Sequence, residues 1–257
     1  MAARPIVTRH GELAFPAVCA PLVARTASDL QEECAAVAAK KPDLLEWRVD
    51  FFSAIGDMRA VLAAARDLRA AANGIPILFT RRSVREGGER IPVSEEYIVD
   101  LYGEVCAGGL ADLVDVEMES EASHLRTVQM AAKDAGAMTV LSFHNFRATP
   151  SVQDLVARFE RAYTLGADVA KVAVMPQSPA DVLGLMAATQ QAAHELPIPV
   201  VSMAMGPLGA VTRTAGWVFG SAMTFAVGRS SSAPGQMPIE DVRFVVEALK
   251  RAQSPKA

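Results

Sequence analysis

Cysteine, closely spaced histidine and excess charge of one sign are all scarce in this sequence, and each shortage excludes a class of protein. Cysteine occurs three times in 257 residues, at Cys19, Cys34 and Cys106, without a CxxC pair. Isolated cysteines of this kind are typical of buried, reduced thiols in a cytoplasmic protein. The four histidines show neither HxH nor HxxxH spacing. We therefore expect neither a disulfide framework nor a metal centre.

The charge pattern and the apolar runs exclude two kinds of partner. Lysine and arginine total 25 against 29 aspartates and glutamates, and no basic block is present, so we expect no nucleic-acid partner. The most membrane-like uncharged stretch is Thr214–Gly228, which has Gly216 and Gly220 in its interior and is shorter than the roughly 20 residues that span a bilayer. Arg4 and Arg9 stand near the start without an apolar run, so we expect no signal peptide. The chain is 51% hydrophobic, which argues against disorder.

Short apolar or β-branched runs alternate with alanine-rich helical stretches along the whole chain. Eight runs begin about 25 to 36 residues apart, which is the length of one βα unit. The predicted strands are Ala17–Val23, Leu44–Val49, Pro76–Thr80, Asp112–Met118, Met138–Phe143, Asp168–Val174, Pro199–Met203 and Met223–Gly228. The predicted helices are Ser28–Lys40, Asp57–Ala72, Ser94–Ala107, Glu121–Ala135, Val152–Leu165, Pro179–Glu195, Thr212–Ser221 and Ile239–Ala252, with Ser28 and Ser178 as N-caps.

Strict alternation over eight repeats predicts a (β/α)8 TIM barrel that forms a single catalytic domain over residues 1–257. A doubly wound sheet is the alternative, but it would have a glycine-rich turn after its first strand. Here that strand is followed by Ala24–Ala27, without a GxGxxG motif. The segment Ile6–Phe15, interrupted by His10 and Gly11, predicts a short β-hairpin before the barrel.

One predicted strand carries a lysine among apolar residues. Side chains alternate along a strand, so Val169, Lys171 and Ala173 share one face. Burial penalises an ammonium ion and favours the neutral amine that a nucleophile requires. The alternative is a structural lysine that reaches water from a strand end.

Other polar residues fall where predicted strands end, which is where active sites of such barrels lie. His144 follows the fifth strand, one strand away from Lys171, and suits proton transfer beside an imine. Glu46 and Arg48 share a face with Asp50, and Arg82 follows the third strand. These residues also have an ordinary explanation as ion pairs or as a hydrogen-bonded structural histidine. Asp115 and Glu117 share a face of the fourth strand and would be either further orienting residues or plain salt-bridge partners. Met203 and Met205, near the seventh strand, would by default fill the core.

Taken together, the motifs resemble those of the type I 3-dehydroquinate dehydratases, Schiff-base enzymes of the shikimate pathway. The matches follow one another over nearly the whole chain: Leu45–Asp50, Phe79–Arg82, Glu86–Gly88, Ser142–Phe146, Thr149–Pro150, Lys171–Pro176, Met203–Gly206, Thr212–Arg213, Gly220–Ser221, Thr224–Phe225 and Ser232–Gln236. Asn145, Thr212, Ala204 and Trp217 depart from residues that are common in the family.

The resemblance implies dehydration of 3-dehydroquinate to 3-dehydroshikimate, in aromatic amino-acid biosynthesis and without a cofactor. Lys171 would form the imine, His144 would act as base and then as acid, and Glu86 would orient His144. The implied substrate-binding residues are Glu46, Arg48, Arg82, Met203, Met205, Arg213, Phe225, Ser232 and Gln236. The resemblance also implies a homodimer.

Two other functions stay open from the residues alone. One is a Schiff-base aldolase that acts on another keto substrate. The other is a catalytically silent barrel that senses quinate-like metabolites, although such a barrel would be expected to lack Lys171 or His144. The loop Arg229–Gln236, small and flexible in composition, is predicted either to cover the site or to be a surface loop.

Overall fold

Eight parallel strands form the centre of the structure, a computed structural model that describes residues 4–253. A hairpin of β1 (Val7–Thr8) and β2 (Gly11–Glu12) precedes them. The barrel strands are β3 (Ala17–Leu22), β4 (Leu44–Arg48), β5 (Ile77–Thr80), β6 (Leu113–Glu117), β7 (Met138–Asn145), β8 (Val169–Val174), β9 (Val200–Ala204) and β10 (Met223–Phe225). The helices are α1 (Ala27–Ala38), α2 (Met58–Ala71), α3 (Glu95–Ala107), α4 (Ala122–Asp134), α5 (Val152–Thr164), α6 (Pro179–Glu195), α7 (Ala210–Ala215) and α8 (Ile239–Gln253).

The strands are arranged in chain order around a nearly closed barrel. Each strand from β3 to β8 pairs in parallel with the next one, and β10 pairs with β3. The remaining gap, between β9 and β10, is bridged where Val200 pairs with Ser221 and where the backbone N–H of Ala222 donates to the carbonyl of Val200. The predicted (β/α)8 barrel and its preceding hairpin are therefore confirmed.

Two apolar clusters lie on opposite sides of the strands. The inner cluster fills the barrel and contains Val169 and Ala173, whereas Ala170, Val172 and Val174 belong to the outer cluster against the helices. The alternation predicted for this strand is confirmed. It follows that Lys171, which shares its face with Val169 and Ala173, projects into the barrel.

Large aromatic side chains fill part of the outer layer next to β4 and β5. Trp47 packs edge-to-face on Phe52 and Phe79, and Phe79 packs in the same way on Tyr102, with ring centroids 5.3 to 5.7 Å apart. Each such pair contributes about 0.5–1.5 kcal/mol beyond the burial of its area. The Tyr102 hydroxyl donates to the backbone carbonyl of Asp115 at 2.7 Å, which fastens α3 to β6 beneath the site.

One of the two predicted helix caps is confirmed and the other is wrong. Ser178 and Asp181 form a reciprocal capping box at the start of α6, as expected for a serine in that position. The cap of α1 is Thr26, not Ser28, because the Thr26 side chain accepts the backbone N–H of Asp29. Threonine competes well for this role, and its position starts the helix one residue before the predicted boundary.

The last quarter of the barrel departs furthest from the predicted boundaries. Instead of one helix over Thr212–Ser221, the chain forms α7 and then a 3-10 helix over Gly216–Phe219. Gly220 ends this segment at φ +104°, and a Cβ there would lie 2.4 Å from the Cβ of Ala193. The tight turn brings the chain back to the barrel, and β10 then ends at Phe225 rather than at the predicted Gly228.

The hairpin lies at the amino-terminal end of the barrel strands. Ile6 is buried with the inner cluster. Arg9 on the hairpin donates from Nε to Asp112 Oδ1 at 2.7 Å, and Asp112 directly precedes β6. The amino-terminal ends of the strands are therefore covered, and the carboxyl ends are left for chemistry. Among residues 4–253, no helix combines the length and the apolar character needed to cross a bilayer.

Candidate active site

A cavity opens among the carboxyl ends of the strands. Its walls contain all twelve side chains predicted from the sequence as catalytic or substrate-binding, together with Phe146, Ala173 and Ala233. The strands supply six of them, because inward positions recur every second residue and the last inward residues of each strand reach the same end of the barrel. These six are Glu46, Arg48, His144, Lys171, Met203 and Phe225, and the segments that follow the strands supply the other six. Residues that are far apart in the chain therefore meet around one space.

Lys171 lies at the bottom of this cavity, almost fully buried in β8. Its Nζ donates to Asp115 Oδ2 at 2.9 Å, lies 3.9 Å from Glu46 Oε1, and is 4.4 Å from the centre of the Phe225 ring. Arg82 contacts Asp115, and the two carboxylates of Asp115 and Glu46 are the ion-pair partners of Nζ among the described residues.

His144 lies near the end of β7, on the strand next to Lys171. Glu86 Oε2 accepts the backbone N–H of His144 at 3.1 Å and lies 2.8 Å from the ring Nδ1. An oxygen that already accepts one N–H is placed to accept the Nδ1–H as well, which leaves Nε2 with its lone pair. Burial lowers the pKa of His144 well below 6.5, and the nearby charges of Arg82 and Lys171 add to this effect. The ring is therefore a neutral base at pH 7.

Glu86 is positioned by a tight loop. A Cβ at Gly87, where φ is +84°, would meet the Phe146 ring at 2.4 Å, and one at Gly88 would lie 1.9 Å from the carbonyl oxygen of Arg82. Only glycine fits where backbone approaches this closely. Burial and the neighbouring charge of Glu117 together raise the pKa of Glu86 to about 8, against the opposing effect of Arg82.

Arg82 is the centre of a buried ionic network. Its guanidinium is 2.6 Å from Asp115 Oδ1, 2.8 Å from Ser142 Oγ, 3.4 Å from Glu117 Oε1 and 3.6 Å from Glu86 Oε2. Burial lowers the pKa of Arg82, but the charges of Asp115 and Glu117 outweigh it and raise the pKa above its ordinary value. Arg82 is thus a permanent cation that holds three acidic side chains, of which Asp115 also pairs with Lys171.

Arg213, unlike Arg82, has no acidic side chain of the described residues as an ion-pair partner. Its guanidinium donates only to the backbone carbonyls of Phe225 and Pro234 and to the sulfur of Met203, and none of the carboxylates in residues 4–253 forms an ion pair with it. Burial lowers the pKa of Arg213 to about 10. A buried cation without an anionic partner is costly, so this position favours an anionic group of a ligand.

The loop after β10 covers the mouth of the cavity. Gln236 folds it into a compact turn, since its Oε1 accepts the backbone N–H of Ser232 at 3.0 Å. Arg48 reaches the carbonyl oxygen of Ser232 at 3.5 Å, while Asp50 holds the Arg48 guanidinium through two hydrogen bonds of 2.7 and 2.8 Å. The loop therefore rests on side chains of the barrel, and Ser232 and Gln236 face the cavity.

Sequence reasoning found the cavity but not the contacts beneath it. The sequence predicts that Asp115 and Glu117 share one face of their strand, but nothing in it distinguishes Ser142, which hydrogen-bonds Arg82 and Asp115. The alternation of side chains along a strand is the only signal for these three residues, and it indicates that all three face inward. It does not tell which inward residues of strands β6, β7 and β8 reach the same depth.

A second, wider cleft lies on the outside of the barrel between α3 and α4. It is lined by residues of the Arg81–Val93 loop and by side chains of both helices, but by neither Lys171 nor His144. Within residues 4–253, no group of three histidine, cysteine, aspartate or glutamate side chains is arranged to hold a metal ion.

Comparisons with known proteins agree on one family. The family described as type I 3-dehydroquinase matches residues 18–253. The chain is 54% identical over 238 residues to a 3-dehydroquinate dehydratase of Albidiferax ferrireducens, covering 93% of this chain and 90% of that protein. The crystal structure of the 3-dehydroquinate dehydratase of Geobacillus kaustophilus superposes with a TM-score of 0.95 at 47% identity, covering 98% of this chain and 99% of that one. A type I 3-dehydroquinate dehydratase of Clostridium difficile, solved with covalently modified comenic acid, superposes with a TM-score of 0.92 at 34% identity, covering 98% of this chain and all of that one.

Proposed function

The chain belongs to the type I 3-dehydroquinase family and dehydrates 3-dehydroquinate in the shikimate pathway, and from this premise we propose which of its residues perform each step. Lys171 is the nucleophile, His144 the base and acid, and Glu86 the residue that orients His144. The observation that carries this assignment is the position of Lys171 and His144 on adjacent strands at the wall of one cavity.

The first step joins the substrate to the enzyme. The lone pair of Lys171 Nζ attacks the C3 ketone carbon, and the carbinolamine loses water to leave an iminium ion. For the attack, one ammonium proton passes to His144, whose low pKa leaves its Nε2 free, and that proton returns to the departing hydroxyl. Asp115 and Glu46 keep Nζ at the bottom of the cavity during the step.

The second step removes a proton and expels hydroxide as water. The iminium acidifies the neighbouring C2–H, and His144 takes this proton while its electrons form the enamine. The enamine electrons then re-form the iminium as the C1–O bond breaks, and His144 returns the proton to the leaving hydroxyl. Hydrolysis of the imine releases 3-dehydroshikimate and restores Lys171.

The remaining residues hold the substrate. We assign its carboxylate to Arg213, the one buried guanidinium of the cavity that has no carboxylate partner among the described residues. The substrate-binding residues assigned to its other oxygens are Glu46, Arg48, Arg82, Ser232 and Gln236. The ring packs on Met203, Met205 and Phe225, which are buried at the cavity wall.

A covalent intermediate is also supported by a solved relative. The Clostridium difficile enzyme holds covalently modified comenic acid. Comenic acid is a carbonyl compound with a carboxylate, and these are the two groups that Lys171 and Arg213 would engage. By contrast, neither an aldolase nor a silent sensor is favoured by the family to which the chain belongs.

Reduction with borohydride tests the nucleophile. Intact mass is measured after 3-dehydroquinate and borohydride are added to the wild type, to Lys171→Ala and to Lys133→Ala, which removes an exposed lysine of α4 as a matched control. We expect a stable adduct on the wild type and the control, mapped to the peptide that contains Lys171, and none on Lys171→Ala. An adduct that persists on Lys171→Ala would show that another lysine reacts.

Turnover in the same samples separates the remaining functions. The product is a conjugated enone, so its formation is followed by ultraviolet absorbance. Dehydration without an adduct on the wild type would refute the Schiff-base mechanism. Binding without adduct or turnover would instead favour the silent sensor.

We further propose that the enzyme is a cytoplasmic homodimer. The three cysteines are free and buried, which suits a reducing compartment. The proposal of a homodimer rests on the assembly that is common in the family, and exposed apolar side chains such as Phe244 offer surface for a contact. Sedimentation equilibrium at micromolar concentration is expected to give twice the chain mass of 27.3 kDa, and a monomer mass would contradict this assembly.

A further inference from the structure

One buried side chain touches the nitrogen of Lys171, and the steps above give it no part beyond holding that nitrogen in place. Asp115 lies in the middle of β6, and its side chain has no exposed surface. Its Oδ2 accepts a hydrogen bond from Lys171 Nζ at 2.9 Å. Its Oδ1 accepts hydrogen bonds from Arg82 and from Ser142, both at 2.6 Å. One oxygen is therefore committed to the protein framework and the other to the nucleophile.

The carboxylate of Asp115 stays ionised in this setting. Burial raises its pKa, but the charges of Arg82 and Lys171 outweigh burial and hold the pKa well below its usual range. An acid this strong does not accept a proton from an amine. Asp115 is therefore a fixed negative charge and not a proton carrier.

The charge balance of imine formation shows how a fixed negative charge beside Lys171 Nζ would act. An ammonium ion and a ketone yield an iminium ion and one water molecule, so the nitrogen carries one positive charge before and after the step. The iminium nitrogen also keeps one N–H. A carboxylate that pairs with the ammonium at 2.9 Å is thus placed to pair with the iminium N–H without moving.

We propose that Asp115 is the counter-ion of the Schiff-base nitrogen, a catalytic residue that pairs first with the Lys171 ammonium and then with its iminium. This proposal rests on the function proposed above and adds a residue to it. Arg82 and Ser142 act as positioning residues that hold Asp115 in place for both states.

Glu46 is the other carboxylate near Nζ, but the geometry favours Asp115. Glu46 Oε1 lies 3.9 Å from Nζ, beyond hydrogen-bond distance, and already accepts the Thr80 hydroxyl at 3.0 Å. Glu46 also lines the cavity, where it is available to substrate oxygens. Asp115 does not line the cavity and touches the nitrogen from behind, so a bound substrate leaves their contact intact.

A counter-ion acts differently on the two halves of the reaction. It stabilises the positive charge that develops on the nitrogen as the neutral carbinolamine loses its hydroxyl, whereas proton removal from the iminium makes the nitrogen neutral and gains nothing from a counter-ion. Loss of Asp115 should therefore slow imine formation, while removal of the C2 proton from an iminium already formed should not be slowed to the same extent. A residue with a merely structural role would slow both steps together.

The test measures the two steps separately in Asp115→Asn. Rapid mixing with 3-dehydroquinate, followed by a borohydride quench and intact mass, gives the rate of imine formation. Enone absorbance with substrate deuterated at C2 gives the isotope effect on dehydration. We expect imine formation to slow by about 10²-fold, the usual effect of losing one electrostatic partner of a reacting group, and the isotope effect on kcat to fall toward unity.

Asp112→Asn is the matched control. Asp112 is also buried and paired with arginines, but it lies at the other end of the barrel. The Asp112→Asn enzyme should be less stable than the wild type but should show the same isotope effect on kcat. Asp115→Asn with the wild-type rate of imine formation, or with both steps slowed equally, would overturn the proposal. Absence of any adduct on the wild type would overturn the Schiff-base mechanism and this proposal together.

A second variant keeps the test decisive if Asp115→Asn does not fold. Ser142→Ala leaves the Asp115 charge in place and removes one of the two donors to Oδ1. We expect imine formation to slow by about tenfold, the effect of one hydrogen bond to a charged group, with a smaller isotope effect than in the wild type. An unchanged rate of imine formation in this folded variant would contradict the positioning of Asp115.

Discussion

Replacing Glu86 with glutamine should make the enzyme more stable at alkaline pH. Glutamine keeps an oxygen that accepts the two N–H groups of His144, so the substitution removes an ionisable proton and its charge but no hydrogen bond. Burial, with the nearby charge of Glu117, raises the pKa of Glu86 from its ordinary 4.5 to about 8. The folded enzyme therefore carries a neutral acid that the unfolded chain would ionise.

The sign of the effect follows from proton binding. Between pH 4.5 and about 8 the folded state holds the Glu86 proton and the unfolded state does not, so unfolding releases a proton. The contribution of Glu86 to stability is complete below pH 4.5 and is lost as the pH rises through 8. At about 1.36 kcal/mol per pH unit the upper limit is about 5 kcal/mol. With this limit as a ceiling, we expect a gain of about 1–3 kcal/mol for Glu86→Gln at pH 8.5.

Unfolding in urea at pH 5.0, 7.0 and 8.5 measures this difference. The variant should match the wild type near pH 5 and exceed it increasingly as the pH rises, and its kcat should lag the wild type most at pH 8.5, where the carboxylate charge supports the basicity of His144. Glu104→Gln, at an exposed position of α3, is the matched control and should show no such trend. A stability difference that is absent at pH 8.5, or independent of pH, would refute the reasoning.

Three further predictions concern other parts of the site. Arg213→Ala should raise KM about 10²-fold because a buried charged hydrogen bond to the substrate carboxylate is lost, and steady-state kinetics showing an unchanged KM would contradict the assigned role. Since burial lowers the pKa of His144 well below 6.5, kcat/KM should stay level as the pH falls through 6.5, whereas a decline centred there would mean that the ring titrates normally. Gly88→Ala should remove most activity by displacing the Glu86 loop, because the new Cβ would lie 1.9 Å from a carbonyl oxygen. Gly103→Ala, whose new Cβ would have no atom within 4 Å, should stay active. Equal activity of the two variants would show that the loop tolerates the clash.

The repeat of the sequence was enough to predict the barrel. Eight apolar runs at βα spacing predict eight parallel strands, and the structure has them in chain order. Alternation within a strand also predicts which residues face inward, as it does for Lys171 between Val169 and Ala173. Both patterns are local, because the pleat of a strand depends only on neighbouring residues. Boundaries were predicted less well where short segments depend on packing, as at α7 and at the Thr26 cap.

The composition of the cavity could also be predicted from the sequence, but its charge pairing could not. Inward parity and the family motifs together identify residues such as His144 and Arg213. Lys171 contacts Asp115, whereas Arg213 contacts no carboxylate of the described residues. Both outcomes depend on the depth along the barrel axis at which side chains from different strands lie. Depth is set by the stagger between strands when a sheet closes into a barrel. No single segment contains that stagger, so the tertiary structure alone decides which inward-facing charges become partners.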